Sequence, residues 1–274
     1  MCVSTTADVS ATDVSSAGGR TVEQPTSTSP SYATSSTFRI IRSRTSPTEW
    51  HTKCAALRGT VQGVRILYVG NSFTTNNNLP GLVKGLAAAR GIAIEHKVIS
   101  VGGASLRQHL NAGKALDQLR TGGFDTVVLQ EQSTLPIKSP ARFRESARDF
   151  GAAISDAGLR TVLYLTWARR NAPDTQQALT DAYAAAAAEL GATLVPVGPV
   201  WERFLATHDQ PVLHDSDNSH PTIAGSYLGA CVFLIALLEA DPVGIDTPVK
   251  GLPPETAALL QQAAWDICTD LAAP

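Results

Sequence analysis

Residues 64–74 read VRILYVGNSFT, an apolar run rich in β-branched side chains that ends abruptly in small and polar ones. This pattern predicts a buried β-strand that leads into a turn. At the carboxyl end of a strand in an open parallel sheet, side chains and backbone N–H groups face the crevice in which such sheets bind ligands. Ser72 would therefore lie at the mouth of a site, and it is the candidate nucleophile.

A base for this serine occurs near the other end of the chain, where residues 217–222 read DNSHPT. Asp217 precedes His220 by one turn's spacing, so both side chains can lie on the same face. The carboxylate could then hold one ring nitrogen of the imidazole while the other nitrogen takes the proton of Ser72. The predicted order of catalytic residues along the chain is serine, aspartate, histidine.

Three segments of the sequence resemble the conserved blocks of the SGNH (GDSL-type) hydrolase superfamily. Gly70-Asn71-Ser72 matches the first block in place of the commoner Gly-Asp-Ser, and Gly102-Gly103 falls where the glycine of the second block is expected. Asp217 and His220 match the last block. Because the three blocks occur in the right order, between about residues 64 and 241, the resemblance is much more specific than any one motif.

The third block departs from the family pattern. It normally reads Gly-x-Asn-Asp, and the asparagine donates a hydrogen bond to the oxyanion. Here a predicted strand at residues 125–129 runs into Gln130, Glu131 and Gln132. A glutamine amide can donate the same hydrogen bond from a longer side chain. If the strand continues, Gln130 and Gln132 lie on one face, so spacing leaves both as candidates; either could instead be a structural partner of loop backbone.

Predicted strands alternate with predicted helices five times along the chain, with short connections. This alternation predicts a three-layer α/β/α domain with a parallel sheet of about five strands. The resemblance implies the same flavodoxin-like architecture. We assign residues 63–274 to this catalytic domain, including a C-terminal accessory helix, and we interpret residues 1–62, which are rich in serine and threonine, as a disordered tail.

The start of the sequence carries no charged segment followed by an apolar one, so no secretory signal is recognisable there. A flexible tail, an unusual targeting segment and an upstream start codon remain open interpretations of residues 1–62. The longest apolar run, residues 228–238, is too short for a membrane span. We therefore expect a soluble protein that is cytoplasmic by default, with its localisation undetermined.

Length and composition limit the number of domains and the kinds of binding partner. The 274 residues suffice for one large domain, and a net charge of -2 gives no indication of a nucleic-acid partner. The four cysteines lack C-x-x-C or metal spacing, which favours unpaired thiols, with a pairing of Cys2 or Cys54 left open.

Other candidate residues have a structural interpretation beside the functional one. We expect His96 to face solvent in the middle of a strand and His109 to be a surface or packing residue. Trp167 lies just past a predicted strand, where it could line a substrate subsite or simply pack.

A metal site is the remaining alternative at the last block. His214 and Asp215 lie close to Asp217 and His220 in the sequence and could complete a metal cluster with them. The triad would already occupy His220. We therefore predict no metal and no cofactor.

The resemblance implies a serine esterase that forms an acyl-enzyme. The oxyanion would be bound by the N–H groups of Ser72 and Gly103 together with Gln130 or Gln132. O-acetylated carbohydrate is the first substrate class implied, with thioesterase and O-acyltransferase activities as alternatives, and the oligomeric state is open. A flavodoxin-like module that binds phosphate or a nucleotide at residues 72–76 is a rival of another class, although it leaves Asp217 and His220 without a role. A catalytically silent scaffold is the third possibility.

Overall fold

The computed structural model describes residues 63–272, so the predicted tail and two of the cysteines, Cys2 and Cys54, lie outside the described residues. Within residues 63–272, five strands form one parallel sheet in the order β2-β1-β3-β4-β5. The strands are β1 (Val64–Gly70), β2 (Ile94–Ser100), β3 (Thr126–Leu129), β4 (Arg160–Leu165) and β5 (Thr193–Pro196). The predicted parallel sheet of about five strands is confirmed.

Helices fill the connections between the strands and follow the last one. They are α1 (Ser72–Thr75), α2 (Leu79–Ala89), α3 (Leu106–Ala112), α4 (Lys114–Thr121), α5 (Leu135–Lys138), α6 (Pro140–Asp156), α7 (Gln176–Leu190), α8 (Val197–Thr207), α9 (Ile223–Leu238) and α10 (Pro254–Leu271), with 3₁₀ turns at Asn76–Asn78 and Pro173–Thr175.

Helix α8 begins at Val197, directly after β5, although the sequence has prolines at positions 196 and 199. A proline is tolerated in the first turn of a helix, where its missing N–H has no partner to lose.

The sheet separates two hydrophobic clusters, as the side-chain alternation along β1 illustrates. Ile66 and Tyr68 face one cluster, which helices α2, α8, α9 and α10 cover. Leu67 and Val69 face the other, which helices α3, α4, α6 and α7 cover. Side chains at successive strand positions point to opposite faces, so a strand buried on both sides reads as a continuous apolar run. The three-layer α/β/α architecture is confirmed.

Helix α9 shows how thoroughly one layer is buried. It is apolar nearly all round, and its residues from Ala224 to Leu234 are all buried. Cys231 on α9 and Cys268 on α10 are buried free thiols, as predicted for these two cysteines. Nowhere in residues 63–272 is a helix both long and apolar enough to span a membrane.

The strand order places a topological switch point at the centre of the sheet. From β1 the chain moves to β2 on one side and then crosses back to β3 on the other. In register, Gly70 pairs with Ser100, and Val69 pairs with Leu129, so the segments that follow β1, β2 and β3 emerge side by side. Ligands of open parallel sheets bind at such a position.

Candidate active site

Ser72 is the first residue of α1, and Asn71 fixes its position. The buried Asn71 side chain caps the helix by accepting a hydrogen bond from the Phe73 amide at 3.1 Å, and it donates to the Ala104 carbonyl at 3.0 Å. The preceding Gly70 has no room for a side chain, because a Cβ would lie 2.5 Å from the Thr74 hydroxyl oxygen. The sharp exit from β1 thus leaves the Ser72 side chain partly accessible.

The structure brings the three residues of the predicted triad together. Ser72 Oγ lies 2.8 Å from His220 Nε2, although 148 positions separate the two residues. Nδ1 of the same ring contacts Asp217 Oδ2. A carboxylate only accepts hydrogen bonds, so Nδ1 carries the ring proton and Nε2 can accept from the serine hydroxyl.

Asp217 is held in its ionised form. Its Oδ1 accepts from the backbone amides of His220 at 2.8 Å and Ser219 at 2.9 Å. The hydrogen bond from the His220 ring, with these two amides, lowers the pKa of the Asp217 carboxyl to about 2. The carboxylate therefore stays charged and keeps the imidazole oriented.

The loop that carries His220 is anchored to the segment after β4. Trp167 Nε1 donates to the Ser219 carbonyl at 3.0 Å, and the Arg170 amide donates to the Asn218 carbonyl at 2.9 Å. His214 is buried and donates from Nε2 to the Ala168 carbonyl at 2.9 Å. Across residues 63–272, no group of three or more side chains is arranged to hold a metal ion. His214 is an anchor of this loop.

Trp167 is a packing residue of the site. It is only 2 % exposed, and its ring stacks between Phe73, at a centroid distance of 5.0 Å, and Trp201, at 3.8 Å. The Phe73 ring also packs edge-on against the His220 ring, with a centroid distance of 5.4 Å. Of the two interpretations of Trp167, substrate subsite or packing, the structure supports packing.

Gly103 lies in a turn in which the Ala104 amide donates to the Val101 carbonyl at 3.1 Å. Its φ of +66° is the left-handed conformation that favours glycine. The exposed Gly103 has an N–H group that makes no hydrogen bond within the described residues.

Two of the other histidines are packing residues. The buried His109 donates from Nε2 to the Gly70 carbonyl at 2.7 Å, and burial lowers its pKa. The prediction that His96 faces solvent is only partly right, because the residue is half-buried. Its ring packs edge-on against Tyr68, and its Nδ1 atom is buried without a partner within the described residues.

The two candidate glutamines differ in what their amides contact. Gln130 is fully buried; its Oε1 accepts from the Asn71 amide at 2.8 Å and from the Thr74 hydroxyl at 3.0 Å, and its Nε2 contacts the Glu131 carbonyl. Gln132 is half-buried; its Oε1 accepts from the Thr134 and Leu135 amides, at 2.9 and 3.0 Å, whereas its Nε2 has no hydrogen bond within the described residues. The amide of Gln130 thus supports the loop of Ser72, and the amide nitrogen of Gln132 is free.

Two further residues at the site had no role in the sequence analysis. Asn77, in the left-handed conformation with φ +53°, donates from Nδ2 to the Pro221 carbonyl and to the Ser226 hydroxyl, both at 2.9 Å. Glu131 is fully buried, and burial raises the pKa of its carboxyl to about 7. The asparagine run at residues 76–78 was a signal for the first, since asparagine tolerates positive φ.

Comparisons with known proteins identify solved structures that resemble this chain. A protein from Slackia heliotrinireducens that is described as an SGNH hydrolase is 33% identical in sequence, with a TM-score of 0.55; the match covers 64% of this chain and 100% of that one. The structure of a DUF4886 family protein from Bacteroides uniformis is 17% identical, with a TM-score of 0.64, and covers 77% of this chain and 97% of that one. Axe2, an acetylxylan esterase from Geobacillus stearothermophilus, is 16% identical, with a TM-score of 0.54, and covers 65% and 96% respectively.

The last two likenesses show a shared fold. No family model matches the chain, and no curated protein matches it. The first relative is different, because a third of its residues are identical and the match includes all of it. The chain therefore belongs to the SGNH hydrolase superfamily, whose members hydrolyse ester bonds.

Proposed function

We propose that the protein is a serine carboxylic-ester hydrolase that works through an acyl-enzyme, with Ser72 as nucleophile, His220 as general base and acid, and Asp217 as the residue that orients His220. The observation that carries this proposal is the 2.8 Å approach of Ser72 Oγ to His220 Nε2, with Asp217 on the other ring nitrogen. The same arrangement performs acyl transfer on unrelated folds.

The reaction has two halves. Ser72 Oγ attacks the ester carbonyl carbon while its proton passes to His220 Nε2, and the intermediate collapses as the alcohol leaves with that proton. Water then gives a proton to Nε2 and attacks the acyl-enzyme, and the proton returns to Ser72 Oγ as the acid is released. Asp217 stabilises the imidazolium in both halves, because its lowered pKa keeps it charged.

Three free donors support an oxyanion hole. The N–H groups of Ser72 and Gly103 and the Nε2 amide of Gln132 make no hydrogen bonds within the described residues, so they remain available to the substrate. We assign the side-chain role to Gln132 and not to Gln130, since both ends of the Gln130 amide are already engaged. Removing a single oxyanion donor typically costs about a hundredfold to a thousandfold in rate.

A small acyl group on a large polar alcohol, such as O-acetylated carbohydrate, is the substrate class that we propose. The triad is open to solvent, with the Asp217 side chain 48% exposed and the His220 side chain 33% exposed. Such a shallow site can accommodate a bulky hydrated alcohol, whereas a long acyl chain needs a deep apolar channel. Axe2, which has the same fold, is an acetylxylan esterase.

The test is hydrolysis of p-nitrophenyl acetate together with labelling by a fluorophosphonate, in wild type and in Ser72→Ala and His220→Ala. We expect both substitutions to abolish both signals. Ser155→Ala and His208→Ala change a serine and a histidine away from the site and are the matched controls. Hydrolysis that survives both triad substitutions would overturn the proposal.

Substrate class and domain boundary need separate measurements. Acetate release from acetylated xylo-oligosaccharides, compared with cleavage of p-nitrophenyl decanoate, tests the small-acyl assignment, and acetyl transfer to a second sugar would identify an acyltransferase. We further propose that residues 63–274 form the complete catalytic domain. A protein that lacks residues 1–62 should keep its kcat, and a large loss would contradict this boundary.

A further inference from the structure

We propose that Glu131 is a positioning residue. It holds in place two of the proposed oxyanion donors, the N–H group of Gly103 and the side-chain amide of Gln132. The inference rests on the proposed function, because it assigns a task to Glu131 only if an oxyanion forms there. Glu131 itself would not touch the substrate.

One carboxylate oxygen of Glu131 joins the two segments. Oε1 accepts a hydrogen bond from the Leu106 amide at 3.0 Å and another from the Gln132 amide at 2.6 Å. Leu106 is the first residue of α3, where backbone N–H groups lack partners within the helix. The carboxyl group therefore ties the start of α3 to the loop that follows β3.

The Gly103 turn depends on this tie. At its start, the Val101 amide donates to the Gly70 carbonyl at 3.3 Å, and at its end the Ala104 carbonyl accepts from the Asn71 side chain at 3.0 Å. Both of these bonds reach β1 and its loop. The bond from the Leu106 amide to Glu131 is the corresponding link to the loop that follows β3, so the Gly103 turn is tied to the segments after both strands.

The surroundings of Glu131 argue against an alternative role as an ion-pair partner. The side chain is 0% exposed and forms no salt bridge within the described residues, and its Oε2 atom has no hydrogen-bond partner there. Arg142 on α6 is the cation whose charge acts on it, and the Tyr183 hydroxyl on α7 contacts its backbone amide at 3.2 Å.

The charged groups on α3 are already engaged elsewhere. Arg107 pairs with Glu145 and Asp149, and His109 donates to the Gly70 carbonyl. A buried carboxyl without an ion pair costs free energy that an apolar side chain would avoid. The two hydrogen bonds that Oε1 accepts, from the Leu106 and Gln132 amides, offset part of this cost.

Substitutions at position 131 can keep or remove the acceptor oxygen, so they test whether its two hydrogen bonds matter. Glu131→Gln keeps a carbonyl oxygen at the same reach, so it can accept from both amides. Glu131→Met has a similar volume, and its thioether sulfur is only a weak acceptor. Steady-state kinetics with p-nitrophenyl acetate on the full chain should show that Glu131→Met lowers kcat by about tenfold or more with KM changed less than about threefold, and that Glu131→Gln retains most of kcat. A loss confined to kcat is expected because the oxyanion exists only in the transition state.

The outcomes separate this inference from the proposal on which it rests. Equal kcat values for Glu131→Met and Glu131→Gln would overturn the positioning role while the esterase remained. A wild-type protein that neither hydrolyses p-nitrophenyl acetate nor reacts with the fluorophosphonate would overturn both. Should Glu131→Met not fold, Glu131→Asp decides, because its carboxyl is one methylene shorter and cannot reach both amides; a wild-type kcat in that variant would also refute the role.

Discussion

The rings of Phe73 and Trp167 stack face to face, with centroids 5.0 Å apart and planes 5° from parallel. Phe73 directly follows Ser72, the proposed nucleophile, and Trp167 holds the loop of His220 through its bond to the Ser219 carbonyl. The contact therefore links the segment that carries Ser72 to the segment that carries His220. Aromatic pairs of this kind contribute about 0.5–1.5 kcal/mol beyond the area that they bury.

Trp167→Phe tests the hydrogen bond within this link. The variant keeps an aromatic ring for the stack but loses the indole N–H, so we expect kcat to fall about tenfold, corresponding to about 1.4 kcal/mol, as His220 becomes less well fixed. Trp201→Phe is the matched control, because Trp201 Nε1 is buried without a partner within the described residues. Thermal unfolding and kinetics should show similar losses of stability in both variants and a loss of kcat in Trp167→Phe alone. Equal kcat in the two variants would assign no role to the bond.

Asn77→Gly tests the hydrogen bonds that join the segment after Ser72 to the residues after His220. Glycine retains the positive φ of this position but removes the bonds to the Pro221 carbonyl and the Ser226 hydroxyl. We expect kcat to fall about tenfold with little change in KM, since the Ser72–His220 distance would vary more. Asn78→Gly is the control, since Asn78 has a similar φ of +54° and its side chain makes no hydrogen bond within the described residues. Equal effects in both variants would mean that backbone conformation, and not the bonds, matters.

The architecture could be predicted because its strands carry strong local patterns. The apolar runs of β1, β3 and β4 and the glycines after α2, α6 and α7 mark element boundaries without reference to the rest of the chain. Short helices were missed: α4 and α5 span eight and four residues, too few for a 3.6-residue periodicity to become visible.

The residues of the candidate site could be named from the sequence where the pattern is local, and could not be named where it depends on tertiary contacts. Ser72, Asp217 and His220 could be named from motifs. The choice between Gln130 and Gln132 could not, because alternation between faces requires β3 to continue, whereas the strand ends at Leu129. Glu131 contacts Leu106, 25 positions away, and Asn77 contacts Pro221, 144 positions away, and no local pattern encodes these contacts.

Asp217→Asn should show that the carboxylate supports the base. The variant reverses the hydrogen bond to His220 Nδ1 and favours the wrong tautomer, so we expect kcat to fall about a thousandfold or more. The wild-type pKa is lowered, so the favourable contact with His220 is fully present above pH 3.8, the ordinary value, and is lost only as the pH falls through about 2. Asp215→Asn, at an exposed carboxylate that accepts from the Ser216 amide, is the control and should stay within about threefold of wild type. Comparable losses in the two variants would contradict the role of Asp217.

Gln132→Glu should resolve which glutamine serves the oxyanion. The substitution retains the Oε1 acceptor for the Thr134 and Leu135 amides but removes the amide donor and adds a negative charge. If Nε2 faces the oxyanion, kcat should fall about a hundredfold with KM little changed. Gln130→Glu keeps the acceptor for the Asn71 amide and should chiefly lower the melting temperature, because its Nε2 contacts the Glu131 carbonyl. The reverse pattern, with the larger loss of kcat at position 130, would transfer the oxyanion role to Gln130.

The carboxyl of Glu131 should make folding stability depend on pH. Burial raises its pKa from 4.5 to about 7, so between these values the folded protein holds a proton that the unfolded chain has released. Stability should therefore be highest below about pH 4.5, as far as this group is concerned, and should fall as the pH rises towards 7. The difference between the two pKa values corresponds to about 3 kcal/mol. Urea unfolding at pH 5 and pH 8 should show this decrease in wild type and in Glu255→Gln, at an exposed carboxyl, but a smaller one in Glu131→Gln. An equal decrease in all three proteins would mean that Glu131 titrates in its ordinary range.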